Sequence, residues 1–184
     1  MTSTMNLEAT VETKPRTAKA PPLTKNYYGP AWHGIHRVIT LPSPLKTVFS
    51  FFSDARNLEK ITPPELHFNI ANTDSIELEE GCHIQYNLKL MGVPFKWLTR
   101  INQWEPPFAF VDEQEQGPFR NWRHTHSFVS LSSDQTLMRD VVRYRLPFWP
   151  IGEAVHPLVA AMVDRIFDYR QRAVSEIFVH DAGG

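Results

Sequence analysis

The sequence predicts an α+β fold: a curved antiparallel seven-stranded sheet wrapped around one long C-terminal helix, with two short helices after the first strand. Three observations lead there. Residues 67–146 fall into runs in which apolar and polar side chains alternate, at intervals of about a dozen residues, as in a meandering antiparallel sheet. From Val155 the apolar spacing switches to three and four residues and stays helical for about 24 residues. Ahead of the six later strands, Pro44 and the pair Pro63-Pro64 bracket two short helical pieces.

Taken in order, residues 1–25 are rich in Thr, Ala, Lys, Glu and Pro, carry no apolar periodicity and read as a disordered arm. Residues 26–180 are then a single domain. The run 36–41 (HRVITL) alternates weakly and stops at Pro42, giving a first strand. Pro44 suits a first helical turn with Ser43 as its cap, and Val48, Phe49 and Phe52 form the apolar side of a short helix. A second piece covers 56–61. Strands follow at 67–72, 82–90, 95–104, 109–116, 121–131 and 137–146. In the last helix Val155, Leu158, Val159, Met162, Ile166, Tyr169, Ala173, Val174 and Ile177 share a face, while Asp164, Arg165, Arg170, Arg172 and Glu176 lie mostly off it. Such a helix is about 36 Å long, enough to cross the whole sheet.

Composition narrows the function. Of 184 residues 42% are apolar and 21% charged, and 19 Lys and Arg against 20 Asp and Glu leave a net charge of -1. A general nucleic-acid binder would need a basic excess. No apolar run approaches the ~18 residues of a transmembrane helix, and the first residues lack a signal peptide's apolar core, so a cytoplasmic protein is expected. Cys82 is the single cysteine and cannot form an internal disulfide. Aromatic residues make up 12% of the chain, which suits either a heavy core or the wall of a cavity for an apolar ligand.

The order of elements, together with the words FSDARNLEKITPP (52–64), WLTRINQWEPPFAFVDEQEQGPFRNWRHTHSF (97–128) and LMRDVVRYRLP (137–147), resembles the START-like (helix-grip) SRPBCC superfamily and its ligand-binding, polyketide cyclase/dehydrase-like branch. The resemblance spans about residues 32–178. It implies the helix-grip fold and a deep apolar cavity between sheet and helix, used to bind, carry or modify a hydrophobic small molecule. Some relatives are fused to NAD-dependent epimerase-like domains, and the branch has no single agreed activity.

Polar residues on the sheet face that meets the helix are the informative ones. The strands carrying Asp112 and His124 are joined by the short Gly117-Pro118 connection and should be neighbours. On that reading Phe110, Asp112 and Gln114 share a face with Trp122, His124, His126 and Phe128; Asp140 and Tyr144 come from the next strand, Tyr86 and Trp97 from earlier ones. Buried carboxylates require partners, and Asp–His pairing would supply them. Four roles fit: an Asp-oriented histidine as general acid/base, with His124, His126, Asp112 and Asp140 as catalytic candidates; a His-x-His metal site, for which no third nitrogen or sulfur ligand is evident; hydrogen bonds to the polar end of an apolar ligand; or a satisfied structural network. Tyr86, Trp97, Phe110, Gln114, Trp122, Phe128 and Tyr144, with Met162 and Ile166 on the helix, are the expected ligand contacts.

Other features point to no further chemistry. A Gly-x-Ser-x-Gly elbow and a Gly-rich phosphate loop are absent, so no serine nucleophile and no cofactor are expected, and for want of a third nitrogen or sulfur ligand no metal is expected either. The basic residues Arg139, Arg143 and Arg145 fall on the face opposite Asp140 and read as solvated. The apolar loops 91–95 and 148–152 are either the cavity mouth or plugs for the barrel end. The leading expectation is therefore binding of a small hydrophobic or aromatic molecule. The alternatives are a cyclase/dehydratase-type enzyme using a His–Asp pair, and a ligand-free interaction module whose partner protein the sequence does not identify.

Overall fold

The computed structural model describes residues 31–72 and 78–181; the expected arm 1–25 lies outside them. Seven strands form one antiparallel sheet: β1 (His33–Leu41), β2 (Asn69–Ile70), β3 (His83–Leu90), β4 (Val93–Glu105), β5 (Ala109–Gln116), β6 (Asn121–Ser130) and β7 (Thr136–Arg145). Their spatial order is β1-β7-β6-β5-β4-β3-β2, so consecutive strands from β2 to β7 are all neighbours and β1 closes the far edge. The sheet curves around α3 (His156–Asp181), with α1 (Leu45–Phe52), two short 3-10 turns (Ala55–Leu58 and Pro64–Leu66) and a single-turn α2 (Ile151–Ala154) at the ends.

Several boundaries differ from the sequence reading for identifiable reasons. The β3–β4 connection is only two residues, Met91 and Gly92, both with positive φ (50° and 80°), the backbone that matches strand twist in a tight hairpin. Pro94 therefore lies within β4, which starts at Val93, two residues ahead of the expected strand 95–104. The expected strand 67–72 shrinks to two residues because His67 adopts a left-handed conformation at the end of a 3-10 turn. Pro44 itself takes the cap position of α1. Ser43 makes no cap, and its carbonyl instead accepts from Thr136 Oγ1 at 2.8 Å. Asp54, by contrast, caps the next turn by accepting from Arg56 N at 3.0 Å. Irregular pairing at Leu98/Thr99 and Ile101/Gln103 bends β4, as bulges do, and helps the sheet wrap.

The helix face is rotated from the predicted stripe. Val159, Val163, Phe167, Val174 and Phe178 are buried, whereas Val155 and Leu158 are 50% and 59% exposed. Val155 precedes α3, and Leu158 stands in its first turn. The core divides in two along the helix. One part gathers Phe49, Phe52, Phe110, Phe128 and Met138 around Val174 and Phe178. The other gathers Trp97, Phe119, Val142 and Tyr144 around Val163 and Phe167. Strand β1 is tied to the same helix by its backbone and side chains: Gln171 Nε2 donates to Val38 O at 2.9 Å, and Arg37 reaches Asp164 and Asp168 at 2.8 and 3.0 Å.

Candidate functional site

Strand pairing builds the site. Asp112 lies opposite His124 and Phe110 opposite His126 across β5–β6, while His126 lies opposite Asp140 across β6–β7. With period two, all five side chains project from the concave face toward α3. The carboxylates and imidazoles close a ring of four. His124 Nε2 is 3.0 Å from Asp140 Oδ1, and His126 Nε2 is 3.1 Å from Asp112 Oδ2. His124 Nδ1 lies 3.6 Å from that same Asp112 oxygen. The His126 Nδ1 atom sits 2.8 Å from Asp140 Oδ1, but too far out of line to form a hydrogen bond. Both histidines are 4% exposed.

Burial and mutual charge push the two imidazoles in opposite directions. Burial disfavours the charged form of both. For His126 the two flanking carboxylates outweigh that cost and its pKa rises; for His124 burial and the neighbouring His126 charge prevail and its pKa falls. Burial also opposes the charge on Asp140 and Asp112, yet the histidines hold both carboxyls below the usual range, and Arg170 adds to the effect on Asp112. Of the two imidazoles, His126, flanked by both carboxylates, therefore holds a proton the more readily and His124 the less. With Nε2–H given to Asp140, the lone pair of His124 falls on Nδ1.

Asp112, His124 and His126 form one wall of a cavity of about 130 Å³. Asp140 stands behind them, outside it. The rest of the wall is almost wholly apolar: Phe52 and Leu58 from the first helical pieces, Tyr86, Leu88, Trp97, Ile101 and Phe110 from the sheet, and Met162, Val163, Ile166 and Phe167 from α3. Tyr86 stacks on Trp97 with centroids 5.8 Å apart and bonds Thr99 Oγ1 at 3.1 Å. A second apolar hollow of about 260 Å³ lies outside, between Met91, Val93, Phe148, Ile151 and Val155; Leu90, Phe119 and Met162 are shared by both and separate them.

Six of the expected ligand contacts, Tyr86, Trp97, Phe110, Trp122, Met162 and Ile166, lie on the cavity wall. Gln114, Phe128 and Tyr144 do not. Gln114 turns back onto its own connection, donating to Phe119 O at 2.6 Å and accepting from Phe119 N at 3.3 Å. Phe128 is fully buried among Phe49, Phe52 and Phe110, filling the core beyond the cavity. The Tyr144 hydroxyl faces a separate cleft, 3.3 Å from His156 Nε2. Strand alternation assigns a face but not a position along it, so Phe128 and Tyr144 share the cavity's face without reaching it. Conversely, Thr99, Phe119 and Arg170 line the cavity unforeseen. Arg170 carried a readable signal: it lies three residues after Phe167 and four before Val174, inside the buried stripe.

Among the described residues, Asp112, His124 and His126 also form a group with one ligand atom each within 4.8 Å of one another. That meets the three-ligand count of a catalytic zinc site. His124 could ligate through Nδ1 while its Nε2–H stays on Asp140, but a metal held by all three would have to replace the contact between His126 Nε2 and Asp112 Oδ2.

Comparison with known proteins agrees with this architecture. Residues 41–168 match the family described as polyketide cyclase / dehydrase and lipid transport. Solved structures with the same fold include a START superfamily protein from Mycobacterium smegmatis, 16% identical with a TM-score of 0.63, the match covering 80% of this chain and 98% of the other. They also include the Zhui aromatase/cyclase from Streptomyces sp. R1128, 17% identical with a TM-score of 0.66, covering 83% and 99%. A nucleoside-diphosphate sugar epimerase from Corynebacterium glutamicum matches at 24% identity and a TM-score of 0.56 over 77% of this chain but only 28% of its own. No curated protein matches the sequence. A seven-stranded sheet gripping a C-terminal helix, with a lined cavity between them and a family match over most of its length, places the chain in the polyketide cyclase / dehydrase and lipid transport family.

Proposed function

We propose that this protein binds a small, largely apolar molecule, about one ring in size, in the cavity between sheet and helix, and does so in the cytoplasm. The cavity carries the reading. Its 130 Å³ is close to the roughly 150 Å³ apolar cavity that admits benzene, and below the ~300–1,000 Å³ typical of drug-sized ligands. A larger occupant would have to displace Phe119 or Met162 and extend into the outer hollow. A ligand-free interaction module would have no use for a lined interior space. No helix among the described residues is long and apolar enough to cross a membrane, which suits an aqueous location. The test is native mass spectrometry of protein purified from its own host, followed by thermal shifts against small aromatic and alicyclic compounds. A co-purifying molecule or a rise in melting temperature is expected; an empty protein that no compound stabilises defeats the reading.

A second reading, cofactor-independent acid–base chemistry of the cyclase or dehydratase kind, is favoured by one observation: two coupled histidines on the cavity wall with opposite proton affinities. Groups whose environments push their pKa values apart divide naturally into base and acid. Neutral His124 would take a proton from a carbon next to a carbonyl through Nδ1. Protonated His126 would deliver one to the carbonyl oxygen or to a departing hydroxyl. Deuterium exchange at the α-carbons of cyclohexanone in D2O, followed by NMR, tests this. Exchange above the buffer rate that is lost in His124→Gln supports it; no acceleration by the wild-type protein removes it.

A further inference from the structure

We infer that the occupant of this cavity presents hydrogen-bond-accepting oxygen, as a ring ketone, enolate or carboxylate does, to the indole N–H of Trp97 and the guanidinium of Arg170. The inference rests on the cavity reading above and names the chemical class of its ligand.

Two donors on the cavity wall lack partners. Trp97 is 6% exposed, and its Nε1 is buried with no acceptor in reach among the described residues. Indole N–H is a donor only, so nothing but an acceptor can satisfy it. Its neighbours Tyr86, Phe119 and Trp122 all meet it through their rings and offer none. The Nε of Arg170 is likewise buried without a partner. Its guanidinium lies over the Phe167 ring, 5.2 Å from the centroid, and makes no ion pair within 4.0 Å among the described residues.

These donors come from opposite walls, Trp97 from β4 and Arg170 from α3, and both belong to the same enclosed space. Arg170 occupies a stripe position at which an aliphatic side chain would pack against Phe167 and Val174. A hydrocarbon filling the cavity would leave both N–H groups buried and unmet, which is costly. A ring bearing oxygen would meet them and still use the apolar walls. Sites built to hydrogen-bond a ligand reject analogues that lack the bonding group far more strongly than they reject a missing methylene.

Calorimetric titration of the full chain with toluene, acetophenone and benzoate tests this, alongside Arg170→Met and Trp97→Phe. Both oxygenated rings are expected to bind at least ten-fold more tightly than toluene. Arg170→Met is expected to lower the benzoate-to-toluene affinity ratio most, and Trp97→Phe to lower the acetophenone-to-toluene ratio. Should Trp97→Phe fail to fold, Arg170→Met, at a half-buried helix position, still decides the outcome. Toluene binding equal to that of the oxygenated rings, or a preference unchanged in Arg170→Met, overturns the inference while leaving the cavity reading intact. Absence of binding by all three probes overturns both.

Discussion

Asp140 and His126 are directly paired across β6 and β7, and the Oδ1 of one lies 2.8 Å from the Nδ1 of the other. The same oxygen accepts from His124, so a single buried carboxylate governs both imidazoles. Asp140→Asn keeps an acceptor for His124 but removes the charge that holds the proton on His126. The expected results are a lower His126 pKa, seen in NMR titration, and a stability loss of about 3–5 kcal/mol by urea denaturation, the range for breaking a buried ion pair. An unchanged His126 titration would contradict the assigned charge state.

The pH dependence of stability has two opposed limbs. His126 has a folded pKa above the ordinary imidazole value of 6.5, so its contribution is complete below that pH and drains away as pH rises through the folded value. His124 is shifted the other way; its contribution is complete above 6.5 and is lost as pH falls through its folded value. Asp112 and Asp140, held below 3.8, add stability that disappears only in stronger acid. Denaturation midpoints measured across the pH range are therefore expected to peak near the ordinary imidazole pKa and fall on both sides. A midpoint that climbs steadily into alkali would show that His126 is neutral in the folded state.

Phe119 stands between the inner cavity and the outer hollow, packed against Trp97 and Trp122 with centroids 5.7 and 4.8 Å away. Phe119→Ala is expected to join the two spaces, at a stability cost of about 3–5 kcal/mol for a buried Phe truncation. The joined space should admit two-ring compounds. The affinity ratio of naphthalene to toluene, measured by calorimetry, should rise at least ten-fold in the variant; an unchanged ratio would mean that Phe119 is no partition.

The position of Phe119 depends in turn on Gly117. A Cβ there would lie 2.4 Å from Gln114 Oε1, so the amide that clasps Phe119 N and O would have to swing away. Gly117→Ala is expected to cost about 1–3 kcal/mol, as overpacking does. Faster amide exchange at Phe119 than at neighbouring β6 residues would locate the damage; protection equal to wild type would show that the clasp survives.

Much of this was legible before any coordinates, and the limits are physical. Period two along β5 and β6 is enough to put Asp112, His124 and His126 on one face, because a strand's side chains can only alternate. A short Gly117-Pro118 connection makes those strands neighbours, which brings the carboxylate and the imidazoles within reach. Distance along the sheet axis toward the cavity is set instead by curvature and by which end of α3 lies overhead. That is why Phe128 and Tyr144, correct in face, fall outside the pocket. Gln114 leaves the cavity for a different reason: its amide finds both backbone partners on Phe119, five residues away, a local competition that alternation does not register. A charge on a helix is ordinarily a solvated one, whereas the spacing of Arg170 from Phe167 and Val174 sets it among buried neighbours.

The ties between β1 and α3 bear on how copies of this chain behave toward one another. An outermost strand usually offers a row of open backbone groups on which another molecule's strand can dock and begin edge-to-edge aggregation. Here Gln171 takes the Val38 carbonyl, and Arg37 is drawn across to Asp164 and Asp168, so the helix guards that margin. At the opposite margin β2 is only two residues long, too short to template a partner. Both borders of the sheet are thus blunted, which leaves neighbouring copies little continuous edge on which to pair their strands.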